Sequence, residues 1–327
     1  MKMYRMGSVL RCTAISIIAG FCAMGGAHAE TFPNKPVRVV VIVAPGGSAD
    51  AMARMVGEGL TQRLGQSVIV ENKPGAGGNL ASQLVSRSAA DGYTLLLSAN
   101  NHTINPALFS NAGYKVDDFV PVAALMQGPS VIAVPTNSKY QSLADVLADA
   151  KQHPDGVSYG IAGIGTPSHI AGELLERAAG IELSHIAYRG SGPSITDAVG
   201  GQVPIVIASL VATMPQIQAK KLRALAVTSN KRWPSLPDVP AASEFGMPDY
   251  EHMTWLGLFA PKGTPQPVVT KLNKAVQAVL EQANLQTRVT TLGGKVVLED
   301  AAQFNSFIQK DYVASSKLVR ESKLKAE

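Results

Sequence analysis

The chain has 327 residues, 46% of them hydrophobic and 16% charged, with a net charge of +5 at neutral pH and two cysteines. About 300 residues correspond to two domains of ordinary size. Both cysteines, Cys12 and Cys22, fall near the start, so the chain beyond them holds no disulfide, free thiol or cysteine metal site, and its stability must come from its core.

The first residues carry Lys2, Arg5 and Arg11 and no acid, followed by an uncharged apolar run from Cys12 to Met24 and then small residues ending in Ala27-His28-Ala29. That is the pattern of a secretory signal peptide, and a run of about 13 residues is well short of the roughly 20 that cross a bilayer as a helix. Cleavage is expected after Ala29. Phe21 stands before Cys22 where a lipidation site wants a small residue, which argues against a lipid anchor. Removing the three basic residues from 29 leaves 26 against 24 acidic ones, a net charge of +2 that implies no nucleic-acid partner. No later apolar stretch is long enough to span a membrane, so an exported soluble protein is expected.

In chain order, Val37 to Val43 is an apolar, β-branched run of the kind a strand buried on both faces needs. A turn, Ala44-Pro45-Gly46-Gly47-Ser48, leads into apolar residues at Met52, Met55, Val56, Leu60 and Leu64, a helical spacing closed by Gly65. The unit repeats with a strand over Ser67–Val70, a glycine-rich turn over Lys73–Asn79, a helix over Leu80–Ala89 and a strand over Thr94–Ser98. This is a βαβαβ lobe. Two strands, Val120–Met126 and Val131–Val134, then lead away from it.

A second series opens with a helix at Ser142, where Asp145 completes a capping pair. It continues with a strand over Val157–Ala162, a turn over Gly163–Ser168, a helix over Ile170–Ala179 and a strand over Ile186–Tyr188. A turn at Arg189–Pro193, a helix to Val199, and strands over Val203–Ala208 and Leu222–Val227 complete it. Trp233–Pro240 reads as a surface loop and Met253–Ala260 as a strand returning to the first lobe. Thr264 with Pro265 then predicts the cap and first residue of a long helix. The expected organisation is a leader at 1–29, a first lobe at 30–128, a second at 129–252, and a return to the first at 253–327, making a hinged α/β clamshell.

Four turns share one design: a strand end, then glycines and small hydroxyl residues, then a helix start. They are Ala44–Asp50, Pro74–Asn79, Gly163–His169 and Arg189–Ser194, two in each lobe. In open α/β sheets such turns lie at the carboxyl ends of the strands, where helix N-termini aim N–H groups into the crevice. A cleft between the lobes would then suit an anion. The candidate ligand-binding residues in the first lobe are Ala44, Pro45, Gly46, Gly47, Ser48, Asp50, Asn79 and Asn100. In the second they are Gly163, Gly165, Thr166, Ser168, His169, Arg189, Gly190, Ser191 and Ser209. The same residue types also simply make turns and caps: Thr166 with Pro167 reads as a cap, and Asp50, which would repel an anion, could hold N–H groups or an ordered water.

Rival chemistries have weak signals. His169 and Glu173 share a helix face, but no third ligand is in view, so no metal is expected. Gly163-x-Gly165-x-x-Ser168 with Glu182 about 20 residues on is a partial dinucleotide fingerprint that lacks its third glycine, and no cofactor is expected. Neither a GxxxxGK[ST] loop nor a GxSxG elbow occurs, and no spacing assembles a Ser-His-Asp triad. Trp255 and Tyr188 read as core or hinge packing.

These segments resemble the Bug family, the extracytoplasmic receptors of tripartite tricarboxylate transporters. The resemblance runs through Pro36–Val41, Ala44–Gly47 with Asp50 and Ala53-Arg54, Leu64–Gln66, Val70–Asn79, Asp91–Leu95, Gly165–His169, Tyr188–Gly190, Gly200–Val203, Leu236–Pro240 and Trp255-x-Gly257-Leu258. It implies a type 2 periplasmic-binding-protein fold whose closing lobes hold a carboxylate by backbone N–H groups, small hydroxyls and bridging waters. It also implies a periplasmic monomer without catalysis, which hands its ligand to integral membrane transporter subunits. Val43-Ala44, where relatives place an aromatic, and Arg189, where they often have lysine, depart from the pattern, as does Asn100-Asn101-His102. The alternatives are an orphan receptor signalling to a sensor kinase and an exported enzyme acting through His169 or the partial dinucleotide motif.

Overall fold

The computed structural model describes residues 32–322, and the leader expected at 1–29 lies outside them. Within the described residues, those from Lys35 to Ser322 belong to one compact unit. Its first lobe opens with β1 (Val37–Val41), α1 (Ser48–Leu64), β2 (Val68–Asn72), a 3-10 turn at Ala76–Gly78, α2 (Asn79–Ser86), β3 (Thr94–Ala99) and α3 (Asn101–Leu108). The long strand β4 (Phe119–Pro135) leads out to α4 (Leu143–Gln152), β5 (Ser158–Ile161), α5 (Pro167–Ala179), β6 (Ser184–Ala187), α6 (Ser191–Val199), β7 (Ile205–Ser209), α7 (Leu210–Gln218) and β8 (Leu222–Val227). The chain returns through β9 (Met253–Pro261) and ends in α8 (Gln266–Leu280), α9 (Ala283–Thr291), β10 (Lys295–Val296) and α10 (Ala301–Ser322).

The strands run in the order β2-β1-β3-β9-β4-β7-β5-β6, with β8 and β10 also on β4. β1 is parallel to β2 and β3, and β5 is parallel to β6 and β7, while β9 and β4 run antiparallel to their neighbours. Where two strands were expected at 120–126 and 131–134, there is one. Phe119 to Pro129 of β4 pair with β9 in the first lobe, and Ser130 onward pair with β7 and β8 in the second. β4 passes through Gly128-Pro129 because β9 continues to pair with it there, Gly128 with Thr254 and Pro129 with Met253.

Burial on both faces explains the uninterrupted apolar runs. In the second lobe, Ile132 and Val134 of β4 and Ile205 and Ile207 of β7 enter one core with α4 and α5. Their alternates, Val131, Ala133, Val206 and Ala208, enter another beneath α6 and α7. In the first lobe Gly59 lets α1 approach α8, where a Cβ would come 2.6 Å from Val279.

Three helix assignments differ from the sequence reading. α3 was not expected, because Asn-Pro interrupts its pattern. Pro106 lies inside it, and the hydroxyl of Tyr114 donates to the carbonyls of Asn101 and His102 at 3.0 and 3.1 Å, satisfying acceptors near the proline. α7, with Pro215 inside, escaped for the same reason. α8 begins at Gln266, and the hydroxyl of Thr264 donates to Pro261 O at 2.7 Å instead of capping the helix. The expected capping pair at Ser142 is present, with reciprocal bonds to Asp145 of 2.9 and 3.3 Å.

Candidate functional site

The carboxyl ends of β1, β3, β5 and β7 face a cavity of about 40 Å³ between the lobes. Ile42, Val43 and Gly47–Ala49 line it from the first turn, Ala99 and Asn101 from the end of β3, and Ala162 and Thr166–Ser168 from the end of β5. Ser191, Ser209, Thr254 and Leu256 complete it. Helix starts converge here: Ser48, Asn101, Pro167 and Ser191 are the first residues of α1, α3, α5 and α6, and Ser209 is the residue before α7. Each such end carries roughly half a positive charge and N–H groups without intrahelical acceptors. No Asp, Glu, Lys, Arg or His is among the lining residues. The field in the cavity is therefore set by helix dipoles, which favour an anion. Asn101 Oδ1 and Thr254 Oγ1 are buried without a hydrogen-bond partner, so both are available to a polar guest.

Local bonding fixes the turns. Gly46, with φ of 87°, donates its N–H to Asp50 Oδ2 at 3.1 Å, and Arg54 pairs with Asp50 Oδ1 at 2.8 Å. Burial alone would raise the Asp50 carboxyl, but bonds from Arg54, the Gly46 N–H and Asn72 outweigh it and hold the group below its ordinary value. Asp50 thus stays an anion turned to its own loop. In the turn after β5, Thr166 Oγ1 donates to Gly163 O at 2.6 Å and meets Ser168 Oγ at 3.0 Å, while Ser168 Oγ accepts from Ala162 N at 2.9 Å. His169 Nδ1 accepts the Gly165 N–H at 3.3 Å, and burial pushes this imidazole down to about 4. The ring also meets Glu173 at 3.5 Å and stands edge-on to His185 of β6 at 5.0 Å between centroids.

The lobes touch along a glycine seam. Ala44 N–H donates to Arg189 O at 3.2 Å. A Cβ on Gly192 would sit 2.7 Å from Pro45 O, one on Gly190 3.1 Å from Ala44 N, and Gly77 and Gly165 face Ile164 and Asn105 with no room for a side chain.

Of the residues expected from sequence, Gly47, Ser48, Thr166, Ser168, Ser191 and Ser209 line the inner cavity. Gly163 and Arg189 line an adjoining mouth of about 600 Å³, with Gly75–Gly78, Leu80, Phe109 and Tyr188. Ala44, Pro45, Gly46 and Gly190 lie at the seam, and Asp50 holds Gly46. Gly165 spends its N–H on His169. Asn79 Oδ1 accepts from Asn105 Nδ2 at 2.7 Å. Asn100 clasps β9, donating to Met253 O at 3.0 Å and accepting from Trp255 N at 3.1 Å. Trp255 packs on Phe259, Phe304 and Phe307, with its indole N–H toward Asp311 at 3.3 Å. The lining residues outside the candidate set include Asn101, Thr254 and Leu256. Asn101 becomes legible only once α3 is recognised as a helix, and the other two only once β9 is placed beside β3. The turn at Gly163–Ser168 is held by its own bonds, from Thr166 Oγ1 to Gly163 O and from Ala162 N to Ser168 Oγ.

Two α/β lobes sharing long crossing strands, with helix N-termini meeting in the cleft, define a solute-binding protein of the periplasmic type. The chain belongs to the tripartite tricarboxylate transporter family of receptors, whose family model matches residues 52–324. It is similar to the periplasmic binding protein BugD, with 35% identity over 90% of this chain and 100% of that one and a TM-score of 0.87. It is also similar to R. palustris Rpa4515 with adipate, at 31% identity over 89% and 98% and a TM-score of 0.85. MatC from Rhodopseudomonas palustris with bound malate matches at 33% identity over 88% and 100%, with a TM-score of 0.84. The protein is a receptor and not an enzyme, as are its family and these neighbours. Among the described residues, no helix is long and apolar enough to cross a membrane.

Proposed function

We propose that the protein captures a small carboxylate-bearing metabolite in the periplasm and delivers it, as a monomer, to the membrane subunits of a tripartite transporter. The observation that carries this reading is the convergence of five helix starts on a cavity with no fixed cation. One carboxylate is held there by first-turn N–H groups and by the hydroxyls of Ser48, Ser168, Ser191 and Ser209, joined by Thr166 when its proton turns from Gly163 O to the anion. Each hydrogen bond to a charged group contributes about 1.5 to 3 kcal/mol, while association costs on the order of 4 to 15, so several must act together. The rest of the ligand extends toward the mouth, where Arg189 meets a second carboxylate if there is one. The adipate and malate held by the related proteins support a dicarboxylate as the first class to test.

The two lobes, 30–128 with 253–327 and 129–252, close on the ligand about the crossings near Gly128–Ser130 and Glu251–Met253, and the ligand stabilises the closed form by contacts made only there. Export follows cleavage after Ala29. A thermal-shift screen of the mature protein against a carboxylate library tests the reading. A ligand at 100 times its dissociation constant stabilises by about 2.7 kcal/mol, and its neutral amide should not. A library in which only cations or neutral sugars stabilise the protein would overturn it.

A further inference from the structure

His169 lies on the third position of α5, and the side chain one helical turn on is Glu173. The sequence offers no third partner at helical spacing, but the fold supplies one: β6 runs parallel to β5 and carries His185 to the same place. His169 Nε2 lies 3.5 Å from Glu173 Oε1, His185 Nδ1 lies 3.9 Å from the same oxygen, and all three ligand atoms fall within 4.8 Å of one another. The geometry points to a binding site for a divalent transition-metal ion, held by His169 Nε2, Glu173 and His185 Nδ1 and separate from the solute cavity.

Distances and chemistry both suit such an ion. Zinc takes imidazole nitrogen and carboxylate oxygen at about 2.0 to 2.2 Å, so adjacent ligand atoms of a tetrahedral site stand about 3.3 Å apart. Two edges of the trio are already within about 0.6 Å of that value. The side chains of Glu173 and His185 are each 30% exposed, which leaves them free to close the third edge and leaves an open side where water completes the coordination. His169, only 2% exposed, is the fixed member. Two imidazoles and one carboxylate favour zinc, nickel or copper over magnesium or calcium.

Binding has a further consequence at Gly165. Because His169 Nδ1 accepts the Gly165 N–H, the ring proton sits on Nε2 in the metal-free protein. Coordination at Nε2 moves that proton to Nδ1, and the 3.3 Å bond from Gly165 is given up. The Gly165 amide is therefore a reporter of the site.

The test uses tag-free mature protein, titrated with Zn(II) by calorimetry and with Co(II) by visible absorption. The expected result is one saturable site, visible ligand-field bands of a four- or five-coordinate ion, and a shift of the Gly165 amide resonance. His185→Ala and Glu173→Gln should each weaken binding by about 100-fold or more, whereas His153→Ala, which removes one of the exposed partners of Asp149 on α4, should not. Should His185→Ala fold poorly, Glu173→Gln carries the comparison alone. Absence of saturable binding, or binding unchanged by Glu173→Gln, or binding abolished by His153→Ala, would overturn the assignment. Solute affinity is not among these readouts, so a failure here leaves the carboxylate reading intact.

Discussion

The backbone N–H of Ala44, in the turn after β1, donates to the carbonyl of Arg189, in the turn before α6, at 3.2 Å across the cleft. This bond forms only because the residues beside it, Gly190 and Gly192, have no side chains to hold the lobes apart. Gly192 is the second residue of α6, where alanine fits the backbone and favours the helix by about 0.5 to 1 kcal/mol. Its Cβ would nevertheless come 2.7 Å from Pro45 O. Gly192→Ala should therefore keep or slightly raise the melting temperature without ligand, yet weaken solute binding at least about tenfold, or roughly 1.4 kcal/mol. Small-angle scattering should show a larger radius of gyration at saturation than in the wild type. Wild-type affinity in this variant would mean that the seam plays no part in closure.

Arg189 lines the mouth and not the inner cavity. Replacing the ligand carboxylate by an amide should cost about 3 kcal/mol or more, from two or more bonds worth about 1.5 kcal/mol each, and Arg189→Ala should cost less than that. Calorimetry on the identified ligand compares the two. Loss of all binding in Arg189→Ala, with Thr166→Val and Ser168→Ala silent, would show that a side-chain cation holds the anion.

Thr228 ties the two crossings together. Its hydroxyl accepts the N–H of Ser130 at 2.8 Å and donates to His252 O at 2.7 Å, and it is fully buried. Thr228→Val leaves a buried donor and acceptor without partners, so the protein should lose about 1 to 3 kcal/mol of stability in denaturant titration. An unchanged midpoint would mean that the crossings do not depend on this link.

His102 is buried between Phe259, Phe119 and Tyr114, neither ring nitrogen has a hydrogen-bond partner, and burial pushes the imidazole down to about 3. Below pH 6.5 the unfolded chain binds a proton here that the folded chain refuses. Stability should therefore fall as the pH drops from about 6.5 toward 3, by up to about 1.4 kcal/mol per pH unit from this group. His102→Phe should flatten that slope in a series of melting curves. A slope equal to the wild type's would place the acid sensitivity elsewhere.

Intact-mass analysis of exported protein should give a chain beginning at Glu30 with no thiol, because Cys12 and Cys22 precede the Ala27-His28-Ala29 boundary. A lipid adduct on Cys22 or a retained leader would refute the cleavage site.

The sequence by itself determined the elements whose signals are local. Apolar β-branched runs such as Val39–Val41 and Ile205–Ile207 became strands, and helix starts followed glycine and hydroxyl residues at Ser48, Thr166 and Ser191. Those starts also carried half of the site, because a helix N-terminus offers its N–H groups wherever it ends up. Tertiary structure decided what depends on partners far along the chain. Asn100 clasps β9, because residues 153 and 155 positions away take its amide. Thr254 and Leu256 reach the cavity only because β9 inserts between β3 and β4. His185 joins His169 and Glu173 only through the pairing of β5 with β6. Periodicity and capping record a residue's relation to its next few neighbours, whereas a cleft and a cluster of side chains are made by sheet order, which no short window of sequence contains.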